Sequence, residues 1–218
     1  MSSNLRLVLV PGLITFGITI LRLVGELNGW SRTFFNAEAG GGGALVGIAW
    51  LVPVFGVYFA LKLSQSGQAP AAGKTLLSGV LGLVAYFAIF FGLSLVLGLP
   101  FNQPTLSAFA VIVLASIVGL LVAYRGSGEL GKVLLAYGLV ARIPVIVVML
   151  VAMLGNWGTH YDVAPPGVPE MGVLQKWFFL GVVPQLSIWM AFTIVIGAVF
   201  GGIALMVAAR RKTALRTA

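Results

Sequence analysis

The sequence predicts an all-α protein, a polytopic transmembrane bundle of six helices with both termini cytoplasmic. Three observations predict it. Sixty per cent of the 218 residues are apolar and only 8% are charged, whereas soluble domains average about 25% charged. Mean hydropathy is +1.08, so the chain lacks the polar residues to cover a water-soluble globule of its size. The apolar residues also fall into uncharged runs close to the roughly 20 residues that carry a helix across a hydrocarbon core about 30 Å thick.

The first run spans residues 7–25, with Arg22 near its far end. Ala37-Glu38-Ala39 has the small-x-small form of a cleavage site. The charged stretch from Arg22 to Arg32 is too long for a cleavage region, so this segment is expected to stay on the chain as a helix. The second run covers 44–62 and follows Gly40–Gly43, which reads as a flexible linker. The third, 75–98, carries Tyr86, Phe87, Phe90 and Phe91, aromatics expected to face lipid or fill the core. The fourth spans 106–124. The fifth, 131–154, contains Arg142.

The last run, 177–209, has 33 residues and would rise about 50 Å as a helix. It reads either as one steeply tilted helix or as a short lead-in kinked at Pro184. Pro11, Pro53, Pro144 and Pro184 all lie inside apolar segments, where neighbouring helices satisfy the carbonyls they free. Gly197 and Gly201 form a G-x-x-x-G pair with Gly202 beside them, expected to pack within the chain rather than between copies. Apart from Pro53 and Pro144, the two halves share no matching residues that mark an internal repeat. The connections are too short to hold a soluble domain, so residues 1–218 read as one integral membrane unit.

Basic residues set the orientation. Arg6, Lys62, Lys74, Arg125, Lys132, Arg210, Arg211, Lys212 and Arg216 fall on one side, nine of the 13 Lys and Arg. Only Arg32 and Lys176 fall on the other, together with Glu26, Glu38, Asp162 and Glu170. Both termini are therefore expected in the cytoplasm, in a bacterial inner membrane. The formal net charge of +8 is then mainly an orientation signal whose basic tail also meets anionic lipid, and no nucleic acid partner is expected. Expected partners are membrane lipids, a second copy of the chain or other membrane subunits.

The composition excludes much chemistry. With no Cys and a single His, the chain has no disulfide, no thiolate and no multi-His metal centre. His160 and Asp162 together are too few ligands for a structural metal, and no cofactor is expected. Nucleotide-binding and zinc-protease motifs are missing. The available acids and the histidine lie near the outer surface, so an enzyme is not expected.

Chemistry-bearing residues are sharpest where they are costly. Arg142 lies about 16 Å along its helix from Gly131, near mid-bilayer, at an insertion cost of at least about 2.5–3.5 kcal/mol. No acid lies within another apolar segment to neutralise it. Either protein carbonyls and amides hold the guanidinium, with Gln185 and the carbonyl freed by Pro184 as candidate partners, or it faces an aqueous cavity and meets an anion. Arg22 and Glu26 form an i, i+4 pair at the membrane boundary, followed by Asn28 and Trp30. They read as an interfacial girdle or as one wall of an outward-facing pocket. The other wall would be the loop holding Asn156, Trp157, His160 and Asp162, stiffened by Pro165, Pro166 and Pro169. The expected function is small-solute or lipid binding or transport at a polar pocket near Arg142. The alternative is a non-catalytic structural or assembly subunit of a larger membrane complex.

Overall fold

The computed structural model describes residues 3–99 and 105–217, with side chains from 6 to 99 and from 105 to 211. Among them the chain is helical throughout, without a strand. Helix α1 is Ser3–Leu27, α2 is Leu51–Gln65, α3 is Ala72–Val96, α4 is Leu106–Gly126 and α5 is Glu129–Gly155. A final helical run follows: α6 (Val173–Lys176), a wide π-type turn (Trp177–Val182), α7 (Val183–Leu186) and α8 (Ile188–Thr217). Five of these stretches are long and apolar enough to cross a membrane, and α2 is a shorter apolar helix. The protein is a transmembrane helical bundle.

Two boundaries differ from the sequence expectation in ways that matter. The second helix begins at Leu51 instead of residue 44, and residues 44–50 run as turns and bends. Pro53 therefore sits in the first turn, where its missing N–H leaves no hydrogen bond unmade, and it is no mid-helix kink. At 15 residues, α2 is only about 22 Å long, shorter than a hydrocarbon core. The unwound piece fills the rest of its path. The last segment starts earlier than expected, at Val173, and is neither straight nor simply bent at Pro184. Its first turns are widened over Trp177–Val182, and the regular geometry breaks at Ser187 (φ −111°, ψ −72°) before α8 runs on uninterrupted.

Helix α8 is the axis of the bundle and packs on α2, α3, α4 and α5; α1 packs mainly on α5, and α3 on α4. Glycine permits the closest crossings. A Cβ on Gly56 would lie 2.7 Å from the carbonyl oxygen of Gly197, and one on Gly82 would lie 2.8 Å from that of Gly119. The backbones of α2 and α8, and of α3 and α4, are thus in contact, as small-residue membrane interfaces allow. Gly197 and Gly201 are covered by α2 and α5 of the same chain, which is the intrachain role expected for them. The core gathers Phe55, Phe59, Tyr137, Leu134 and Ile194, with Tyr137 ring centroids 5.3 and 5.4 Å from Phe55 and Phe59. The Tyr137 hydroxyl also bonds Thr15 of α1 at 2.9 Å.

Helix α3 is the least buried of the long apolar helices. Leu77, Leu81, Val84, Phe87 and Phe91 are exposed along it, a face made for lipid tails. The bundle's two ends are unlike. One carries the short links 66–71 and 127–128, and the other the long loops 28–50 and 156–172.

Candidate functional site

A cavity of about 1460 Å³ opens among α1, α4, α5 and the final helical run, beneath the two long loops. It occupies the region where α2 is missing its first turns, and residues 40–50 form much of its wall. From residue 44 that segment is apolar enough to have been expected as helix. Irregular backbone at membrane depth is tolerated where it is buried in protein or lines a cavity. Its amides find distant partners: Leu45 N–H donates to Thr33 O at 3.0 Å and Val46 N–H to Phe34 O at 3.1 Å.

Arg142 lies at the deep end. It is 3% exposed. Its Nη2 donates to Thr193 Oγ1 at 3.4 Å, and its Cζ sits 5.2 Å from the Trp189 ring centre, a cation–π contact. Thr193 is ready to accept, because its own hydroxyl proton goes to Trp189 O at 2.8 Å. Among the described residues Arg142 Nε has no hydrogen-bond partner. Neither carbonyls nor Gln185 hold the guanidinium, contrary to the tie anticipated from depth. Gln185 is 8% exposed, and its Oε1 is likewise unpartnered. Both side chains line the cavity, so the structure gathers them into one site without bonding them to each other.

At the loop end the site is closed by a clamp. The Glu26 carboxylate is fully buried and receives Arg22 Nε at 2.8 Å. It also receives the His160 backbone N–H at 3.0 Å, and His160 Nδ1 lies 2.6 Å from one of its oxygens and 2.8 Å from the other. Arg22 reaches on to Gly41 O at 2.7 Å and Asn36 O at 3.3 Å. One i, i+4 pair on α1 therefore fastens both long loops. Gly41 is buried at φ +60°, and a side chain there would run into Arg22 and His160. The glycine tract is a fitted wall at this residue rather than the loose linker its composition suggests.

Burial holds the His160 imidazole below the ordinary histidine range, and Arg22 pushes the same way, while the Glu26 hydrogen bond, Glu26 charge and Asp162 charge pull upward. Burial likewise raises the Tyr161 hydroxyl, which donates to Thr19 O at 3.2 Å. With its carboxylate held by three donor groups, Glu26 is a structural anchor more than a proton carrier.

The other expected site residues fall apart from this group. Asn28 is exposed and its amide returns to Val24 O of its own helix at 2.7 Å. Asn156 ends α5 in the left-handed conformation, φ 49°. Trp157 stands exposed at the loop and is no part of the cavity wall. Asp162 does not share a ligand with His160. It closes its own loop, accepting Gly158 N–H at 2.9 Å and the Thr159 N–H and hydroxyl, both at 2.7 Å. Arg32, beyond the clamp, pairs with Glu38 in solvent. Among the described residues no group of three or more His, Cys, Asp or Glu is placed to hold a metal.

Thr193 and Trp189 were missed by sequence reasoning. Both sit in the uniformly apolar last segment, and only their spacing of four residues, one helical turn, hints that they share a face. No family model matches the chain, and neither a curated protein nor a solved structure matches it.

Proposed function

We propose that this is a bacterial inner-membrane protein that binds, and on that basis moves, a small solute or lipid in an outward-facing cavity, with both termini in the cytoplasm. The observation that carries the reading is the 1460 Å³ cavity reaching a buried arginine that no acid neutralises. Its volume exceeds the roughly 300–1,000 Å³ of ordinary small-molecule sites. The walls support binding over catalysis, since the clamp's carboxylate and imidazole are engaged with each other. Native mass spectrometry of the detergent-purified chain tests the reading: a retained non-protein mass is expected, diminished when Met149→Trp narrows the cavity. Only bare protein from gentle extraction, with no added mass at any activation energy, would count against it.

The competing reading, a non-catalytic subunit of a membrane assembly, draws on the Arg142–Thr193 and Arg142–Trp189 contacts, which join α5 to α8. The same spectra address it, because a heteromeric partner co-purifying at fixed stoichiometry with an empty cavity would favour the subunit.

A further inference from the structure

The deep end of the cavity specifies more than a volume. Arg142 and Gln185 both line it, and among the described residues the donor Arg142 Nε and the acceptor Gln185 Oε1 have no hydrogen-bond partner. A buried polar group left unpaired costs about 1–3 kcal/mol, and more where it is charged. Arg142 also carries a positive charge that nothing in its segment balances. Glu26, the one buried carboxylate on α1, is engaged by Arg22 and His160 at the far end. Trp189 and Thr193 hold the guanidinium from other sides and supply no negative charge.

Above this polar floor the walls turn apolar. Val145, Met149 and Met153 follow Arg142 at intervals of three or four residues on one face of α5 and line the cavity with it. From Arg142 to Met153 the stripe rises about 16 Å. Ile18, Phe109 and Leu180 face the same space.

From this arrangement, and resting on the binding reading above, we infer that the ligand is an anionic amphiphile bound head-down. Its oxyanion, carboxylate or phosphate, meets the Arg142 guanidinium where that side chain lines the cavity and balances the charge. A hydroxyl or amide N–H next to the oxyanion meets the Gln185 carboxamide, and the hydrocarbon body lies along the Val145–Met149–Met153 stripe toward the loops. A charge-assisted hydrogen bond in a water-poor site is roughly twice as strong as a neutral one, so the anion contributes a large share of the affinity.

Four probes of one chain length test this on the full-length protein in a non-ionic detergent, by titration with native mass spectrometry. They are N-oleoylglycine (carboxylate with amide N–H), 1-oleoyl lysophosphatidate (phosphate with hydroxyl), oleate (carboxylate alone) and neutral monooleoylglycerol. The first two are expected to bind at least about tenfold tighter than monooleoylglycerol, with oleate between them; the tighter of the first two identifies the source of the oxyanion. Arg142→Gln should abolish the preference for anions while leaving the weak neutral binding. Gln185→Leu should weaken N-oleoylglycine and lysophosphatidate severalfold and leave oleate unchanged. Equal binding of anionic and neutral probes by the wild-type chain would overturn the inference and leave the amphiphile cavity standing, whereas failure of all four to bind would overturn the amphiphile as well and leave the binding reading to the retained-mass test. The wild-type comparison needs no variant, so a poorly folding Arg142→Gln protein does not spare the inference.

Discussion

His160 shows how one residue links the loops to the helices. Its imidazole is packed between Arg22 and Glu26 of α1, with Asp162 and Tyr161 of its own loop beside it. Burial lowers its proton affinity below the ordinary value of about 6.5, so the neutral ring belongs to the folded state. As pH falls, the unfolded chain takes up the proton first. The stability this residue contributes is therefore complete above about pH 6.5 and is lost as pH drops from there through the lower, folded value. Melting curves in detergent should show a fall in Tm between pH 7.5 and 5 that is smaller in His160→Asn. Parallel slopes for the two proteins would mean that the imidazole is not buried as a neutral ring.

At the scale of elements, helix contact depends on the absence of side chains at a few crossings. Gly56 faces the Gly197 carbonyl, and backbone cannot yield as a flexible side chain does. Gly56→Ala is expected to push α2 from α8 and to cost about 1–3 kcal/mol, the usual penalty of overpacking, read as a lower Tm. Gly92 of α3 has open space around it, so Gly92→Ala should leave the melting curve unchanged or raise it. A matching loss in both variants would show that the cost does not come from the crossing, since helix propensity alone favours Ala over Gly. The same scale shows what the sequence could and could not reveal. Five spans were legible because length and hydropathy alone decide whether a segment can cross lipid. The start of α2 was not, since Ala44–Trp50 is as apolar as any helix; apolarity says that a segment avoids water, not that it is helical. Gly47 and the helix-starting Pro53 were the available signs. Arg142 stood out by its cost, but its partners Thr193 and Trp189 lie 51 and 47 residues further along, and only the packing of α5 on α8 brings them near. Glu26 and His160 meet across 134 residues for the same reason.

For the molecule as a whole, the cavity and the charge lie at opposite ends, and that asymmetry decides from which side a ligand arrives. Lys62 and Arg125 fall in the last turns of α2 and α4, and Lys132 lies in the opening turns of α5, all at the end away from the cavity. Lys and Arg are retained on the cytoplasmic side of membrane proteins, and on the proposed reading the loops 28–50 and 156–172, and the cavity beneath them, face outward. The chain has no Cys, so a single introduced thiol reports its own side against no background. Glu170 in the second long loop and Gln68 in the α2–α3 link are both exposed. A membrane-impermeant maleimide added to intact cells should label Glu170→Cys and spare Gln68→Cys until the membrane is opened. The reverse pattern would turn the cavity toward the cytoplasm. The buried Arg142 would then draw its anion from inside the cell, and the basic end would be an exception to the rule that orients most bundles of this kind.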